Sequence, residues 1–181
     1  MKQTENICPA EKAGMLDSFF RRIIQNPKKI IRPYVKEGMT VMDLGCGPGF
    51  FSVEMAKIVQ KSGKVFALDV QDEMLNLLAD KIKDTQYQDI ITLHKAKTDA
   101  LNFSSKVDFI LAFYVIHEIK RENIFSELKS ILNPGGKILI AEPNFHISKK
   151  AYNQMLHSLE KEGFEIISKP KIFFSKAVLI K

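Results

Sequence analysis

The sequence contains only two cysteines in 181 residues, Cys8 and Cys46. It has no Cys-x-x-Cys pair and no His-Glu-x-x-His, so metal-ligand spacing is missing and no metal site is expected. Cys46 sits inside a glycine-rich loop, which argues against a structural disulfide, and so sparse a use of thiols points to the cytosol. No stretch approaches the roughly 18 apolar residues needed to span a bilayer, and residues 1–6 are followed by no apolar signal core. Acidic residues are fewer than basic ones, 21 against 27, for a net charge of +6. The lysines are scattered along the chain, so the excess reads as a solvated surface rather than a nucleic-acid patch. Repeats and low-complexity segments are absent, and the length suits one domain.

What is present is organised around Val41-Met42-Asp43-Leu44-Gly45-Cys46-Gly47-Pro48-Gly49-Phe50. The apolar residues end a buried strand, the glycines turn the chain, and a helical pattern starts at Phe50. That arrangement sets backbone N–H groups and a helix N-terminus against a ligand. A dinucleotide fingerprint would need its third glycine at position 50, where this chain has phenylalanine. The exchange suits a nucleoside ligand without a diphosphate. Further strands are expected at 65–68, 90–94, 107–113 and 137–141, and further helices at 50–60, 72–82 and 121–132. This alternation predicts an α/β fold with a doubly wound parallel sheet. A helix at 148–161 then leads to strands at 164–168 and 172–180, too close for a helical crossover and therefore antiparallel. Ahead of the sheet, Met15, Leu16, Phe19, Phe20, Ile23 and Ile24 share one helical face. Asn26-Pro27 opens a second, short helix carrying Ile30 and Ile31 and ending at Pro33. Residues 1–36 thus read as a helical arm, either covering the sheet or serving as a lid, and residues 37–181 as the core of one domain.

With Asp43-Leu44-Gly45-Cys46-Gly47-Pro48-Gly49, Asp69 at the end of the second strand, and Asn133-Pro134-Gly135-Gly136-Lys137 before the fifth, the chain resembles the class I S-adenosylmethionine-dependent methyltransferases over residues 37–181. The resemblance implies a Rossmann-like methyltransferase fold: a seven-stranded sheet in the order 3-2-1-4-5-7-6, strand 7 antiparallel. It implies S-adenosylmethionine as cofactor, with Asp43, Gly45, Cys46, Gly47 and Gly49 forming its loop. Asp69 stands where the family's ribose-binding acid stands, and a carboxylate there can accept from both hydroxyls. Val70 and Met74 are expected to flank the adenine, and Thr98 and Asp99 to meet its amino group, although residues 95–102 depart from the family's usual glycine-aspartate form. Ala112 and Phe113 complete the cofactor side.

Methyl transfer asks little of a protein beyond alignment and exclusion of water, because the sulfonium is already a good leaving group. The candidates for catalysis follow strand four: Tyr114, and His117 as base or orienter, the plainer role of His117 being a cap or a bond to Glu118. Glu142 and His146 lie near the end of strand five as further candidates. His94 and His157 read as structural or surface residues. The expected reaction is methylation of a small-molecule acceptor by in-line displacement, of the quinone-biosynthesis type. An RNA methyltransferase is the alternative, motivated by Arg21, Arg22, Lys28, Lys29 and Arg32. The absence of Asn/Asp-Pro-Pro-aromatic at Ala112-Phe113-Tyr114-Val115 argues against it and against a nucleic-acid partner. A nicotinamide oxidoreductase is opposed by Phe50 and the closing hairpin. A non-catalytic S-adenosylmethionine-binding subunit is the remaining reading.

Overall fold

The computed structural model describes residues 25–181, and its first helix is the one that Asn26-Pro27 predicts. The helical face expected from Met15, Leu16, Phe19, Phe20, Ile23 and Ile24, and Cys8, lie outside the described residues. Helix α1 spans Pro27–Ile31; the Asn26 side chain accepts from the Lys29 amide at 3.1 Å, and proline takes the first helical position, where no N–H is needed. Ile31 and Val35 are buried, and the Tyr34 ring stacks on Phe109 with centroids 5.8 Å apart. The last part of the arm therefore covers one face of the sheet.

Strand β1 is Thr40–Leu44, followed by α2 Ser52–Val59, β2 Lys64–Asp69, α3 Asp72–Ile82, β3 Ile91–Lys95 and β4 Val107–Phe113. A 3-10 turn at Ile116–Glu118 leads to α4 Ile124–Ser130, β5 Leu132–Pro143, α5 Lys149–Lys161, β6 Ile166–Ser168 and β7 Ser175–Ile180. The sheet order is β3-β2-β1-β4-β5-β7-β6, with β1 to β5 parallel and β7 antiparallel to both neighbours. Period-two alternation splits the core. Phe109, Leu111, Phe113, Leu139 and Ala141 face α1, α2 and α3, where Met55 and Leu78 are fully buried. Ile110, Ala112, Ile138 and Ile140 face α4 and α5, against Leu128 and Leu159. Each of the larger side chains, Phe, Leu, Ile and Met, contributes about 1.5–3 kcal/mol on leaving water.

Strand β5 begins earlier than the sequence suggests. Val107 pairs with Leu132 and Phe109 with Lys137, so the Asn133-Pro134-Gly135-Gly136 turn loops out as a bulge within the strand instead of preceding it. Asp108 holds that bulge: its carboxylate accepts from Asn133 Nδ2 at 2.7 Å and from the Thr40 amide at 2.9 Å. At the other end β7 starts only at Ser175, because Ser175 N bonds Ile172 O and Phe174 takes a φ of 56°, spending 172–174 on a turn.

Candidate active site

The parallel strands β1, β2 and β4 point their carboxyl ends at one cavity of about 480 Å³, within the range of small-molecule sites. The glycine loop forms its floor. The amides of Gly45 and Cys46 both donate to Leu68 O, at 2.8 and 2.9 Å, which binds the loop to β2. Gly45 has a φ of 69°, and a Cβ there would lie 2.5 Å from Val115 Cγ2. Gly47 has a φ of 52°, with nothing within 4 Å of the place a Cβ would take. Gly49 does not line the cavity; a Cβ on it would lie 2.2 Å from Leu78 Cδ1. The close-packing glycine is thus present after all, one position earlier than the dinucleotide pattern has it, and it admits α3 beside the loop. Phe50 is left to line the cavity, its ring edge-on to Phe51.

Two buried carboxylates border the loop. Asp43 accepts from Ser52 Oγ at 2.5 Å, a partner that the sequence reading missed. Asp69 accepts from Gly47 N through Oδ2 and from Gln71 N through Oδ1, both at 2.9 Å. Burial pushes the Asp69 carboxyl up, and the N–H groups of Gln71, Gly47 and Val70 pull it back. Each carboxylate oxygen still has a lone pair for a ligand hydroxyl. Burial, reinforced by Asp43 and Asp69, pushes the Cys46 thiol well up, which keeps it protonated.

Val70, Met74, Thr98, Asp99 and Phe113 also line the cavity, with Met74 buried at the start of α3. Ala112 does not: strand alternation turns it into the core on the α4 and α5 side. Lys97, Lys120 and Arg121 form a cationic part of the wall that the sequence reading did not single out. Glu127 ties this part together, accepting from Leu101 N at 3.0 Å while lying 3.5 Å from Arg121 Nη1.

Tyr114 lines the cavity from a strained position, φ 62°, just past β4. Its hydroxyl lies 2.5 Å from Gln25 Nε2, which donates to it, and 2.7 Å from Ser175 Oγ. Tyr114 and His117 do not share a face. His117 does not line the cavity: its Nε2 lies 4.0 Å from Glu118 Oε1, and its Nδ1 bonds the fully buried Glu142, whose other oxygen accepts from Ile116 N at 3.0 Å. That bond, more than the opposing burial, raises the imidazole's pKa from its usual value. His146 stacks on the His117 ring at 5.5 Å. His94 is structural, with Nε2 3.0 Å from Leu101 O. Among the described residues no His, Cys, Asp and Glu cluster could hold a metal ion.

The donor set suits a nucleoside with a free ribose diol. Space stands open above Gly47, where a side chain would fill it, and Asp69 has its backbone bonds made with acceptor capacity left over. S-adenosylmethionine fits this description, and no diphosphate cradle is needed.

Comparison with known proteins agrees with the geometry. A family model described as a methyltransferase domain matches residues 35–172. The chain is 28% identical, over 93% of its length and 86% of the relative's, to a probable cobalt-precorrin-6B C(15)-methyltransferase of Saccharolobus solfataricus. It is 29% identical to the ubiquinone/menaquinone biosynthesis C-methyltransferase UbiE of Shewanella pealeana, over 65% of this chain and 49% of that protein. The chain thus spans about half the length of the UbiE relative. Among solved structures, a SAM-dependent methyltransferase from Aquifex aeolicus superposes with a TM-score of 0.86 over 96% of this chain and 98% of the other, at 24% identity.

Proposed function

This chain belongs to the class I S-adenosylmethionine-dependent methyltransferases, and on that premise we propose that its acceptor is a small, largely apolar organic molecule. The observation that carries this reading is the aromatic wall on the β4 side of the cavity. Phe50, Phe51, Phe113 and Tyr114 follow one another with ring centroids 5.0, 4.6 and 4.3 Å apart. Such a wall favours a flat apolar acceptor and excludes water from the reacting atoms.

When bound, the cofactor supplies a methyl group on a sulfonium that leaves without acid assistance. The chain's own residues then have to bind and align. Asp69 takes the ribose hydroxyls, Gly45 and Gly47 let the backbone approach the amino-acid end, and Val70, Met74, Thr98 and Asp99 surround the adenine. Tyr114 forms the acceptor-side wall. His117 serves as a positioning residue rather than a base: through Glu142 it fixes the turn that follows Tyr114. Residues 1–36 act as the lid. Supporting this, Gln25 donates to the Tyr114 hydroxyl, so the chain enters the described structure at the cavity wall.

Calorimetry with S-adenosylhomocysteine and transfer of labelled methyl to panels of quinols, phenols, amines and thiols test the proposal; turnover of a small acceptor is expected. Salt-sensitive methylation of RNA with no small-molecule turnover would reverse it in favour of the reading that the +6 charge supports. Cofactor binding without any turnover by the isolated chain would instead favour a non-catalytic subunit. Deleting residues 1–26 should leave S-adenosylhomocysteine binding measurable and abolish turnover; full activity in the truncated protein would sink the lid.

A further inference from the structure

Two stretches of the C-terminal half, 143–159 and 166–181, contain no aspartate or glutamate but carry Lys149, Lys150, Lys169, Lys171, Lys176 and Lys181. The fold brings residues 144–150 of the first and 172–176 of the second together at the carboxyl end of β5, while Lys181 pairs with Glu165 at the opposite end. Asn144 N donates to Phe174 O at 2.9 Å, and Lys176 Nζ donates to Ile147 O at 2.7 Å, so the two loops form one rim. Three phenylalanines stand out from it, Phe145 at 75% exposure, Phe173 at 57% and Phe174 at 58%. Lys149, Lys150, Lys169 and Lys171 are exposed on the same two stretches. The rim adjoins the cavity wall, since Ser175 Oγ meets the Tyr114 hydroxyl.

We propose that this rim docks on an anionic lipid bilayer. Folding normally buries phenylalanine, and three rings exposed on one rim mark an interaction surface. Phe174 also holds a left-handed backbone, φ 56°, which a bulky residue adopts only at a cost that glycine would avoid. The chain bears strain to hold the ring outward. Aromatic rings flanked by lysines are the composition of an interfacial anchor: the rings enter the headgroup boundary and the ammonium groups meet anionic lipid. A second copy of the chain is a poorer occupant, because a two-fold contact would set these lysines against their own copies. Single-stranded nucleic acid is also poorer, because the rim carries no arginine to stack or to clamp phosphate. Docking here would bring the mouth beside Tyr114 to the membrane surface, where an apolar acceptor concentrates. The surface itself does not depend on which acceptor is methylated.

The test is co-sedimentation of the full chain with vesicles of phosphatidylcholine alone or mixed equally with phosphatidylglycerol. Binding to the anionic vesicles is expected, weaker binding to the neutral ones, and release by salt. Each of Lys149→Gln, Lys150→Gln, Lys169→Gln and Lys171→Gln should weaken it about fivefold. The triple variant Phe145→Ser, Phe173→Ser, Phe174→Ser should weaken it by at least about tenfold, with S-adenosylhomocysteine affinity unchanged as proof of folding. Phe174→Gly should raise the unfolding midpoint while reducing vesicle binding. The proposal is overturned by absence of vesicle binding, by equal binding of wild type and triple variant, or by a self-association that the triple variant abolishes. It is likewise overturned if an RNA oligonucleotide binds through the same three rings more tightly than the vesicles do.

Discussion

Replacing Gly45 by alanine tests whether the loop after β1 and the segment after β4 are the two walls of one cavity. Both Gly45→Ala and Gly47→Ala force an L-residue into the left-handed region, at φ 69° and 52°, at about 1–2 kcal/mol each. There the two part company. The new methyl at position 47 meets nothing within 4 Å, whereas at position 45 it lies 2.5 Å from Val115 Cγ2 and 2.8 Å from Val115 Cβ. The second of these atoms cannot swing away by a rotamer change, so backbone must move, and overpacking of this kind costs about 1–3 kcal/mol. Gly45→Ala should therefore lose about 2–5 kcal/mol in total and Gly47→Ala about 1–2 kcal/mol. At this chain length each kcal/mol lowers the midpoint by about 2–4 °C. Urea unfolding of Gly45→Ala, Val115→Ala and the double variant forms a cycle, and Val115→Ala, which removes the Cγ2 contact but keeps Cβ, should return part of the overpacking cost. Equal losses at positions 45 and 47, or no coupling between 45 and 115, would refute the contact and with it the enclosed cavity. Cofactor binding should follow the opposite order in one respect: Gly47→Ala, though milder for stability, places its methyl in the open space above the loop and should weaken S-adenosylhomocysteine.

Asp69→Ala removes the acceptor of two backbone N–H groups as well as the ribose partner, so it should destabilise by about 1–3 kcal/mol for each donor left unsatisfied and weaken the cofactor at least tenfold by calorimetry; unchanged affinity would remove Asp69 from the site. His117→Phe keeps the ring and deletes the bond to Glu142. Because the folded imidazole has a raised pKa, the stabilisation from its charged form is complete below the unfolded value near 6.5 and is lost as pH rises through the folded value. The stability gap between wild type and variant should thus be about 1.5–3 kcal/mol at pH 6 and narrow toward pH 9, and a gap independent of pH would show that the imidazolium contributes nothing. Serine 52 to alanine should weaken both stability and cofactor binding by leaving Asp43 short of a donor, measurable as a lower urea midpoint and a higher Kd.

The strands and the cofactor loop could be read from the sequence because both rest on local signals, whereas the strand order came with the family resemblance. Glycine spacing fixes where the backbone turns, and the apolar runs at 40–44 and 107–113 match the strands residue for residue. What escaped depends on contacts between distant segments. Nothing near Gly49 announces that Leu78 will press against it, so the sequence suggests that the close-packing glycine is missing, with Phe50 in its place. The strand-five turn was visible, but its status as a bulge depends on Asp108, which crosses from β4 to hold it. Lys120 and Arg121 reach the cavity only because Glu127 and Leu101 draw the segment inward.

His117 is the instructive case, because part of its signal lay within reach. Along β5 the residues Leu139 and Ala141 alternate with Ile138, Ile140 and Glu142, so Glu142 belongs to the face covered by α4 and α5. Ala112 falls on that same face by the same count, which removes it from the cofactor side. A carboxylate buried there needs a donor, and the chain after β4 is the nearest segment able to supply one. Strand alternation together with that requirement would have assigned His117 to Glu142 before any coordinates. A histidine bonded to a buried carboxylate, with its other nitrogen 4.0 Å from Glu118, favours its protonated form and so is a poor base. The chemistry at the methyl group then rests on alignment and a dry aromatic wall, and the choice of acceptor rests on Tyr114, on whatever covers it, and on the surface from which the acceptor arrives.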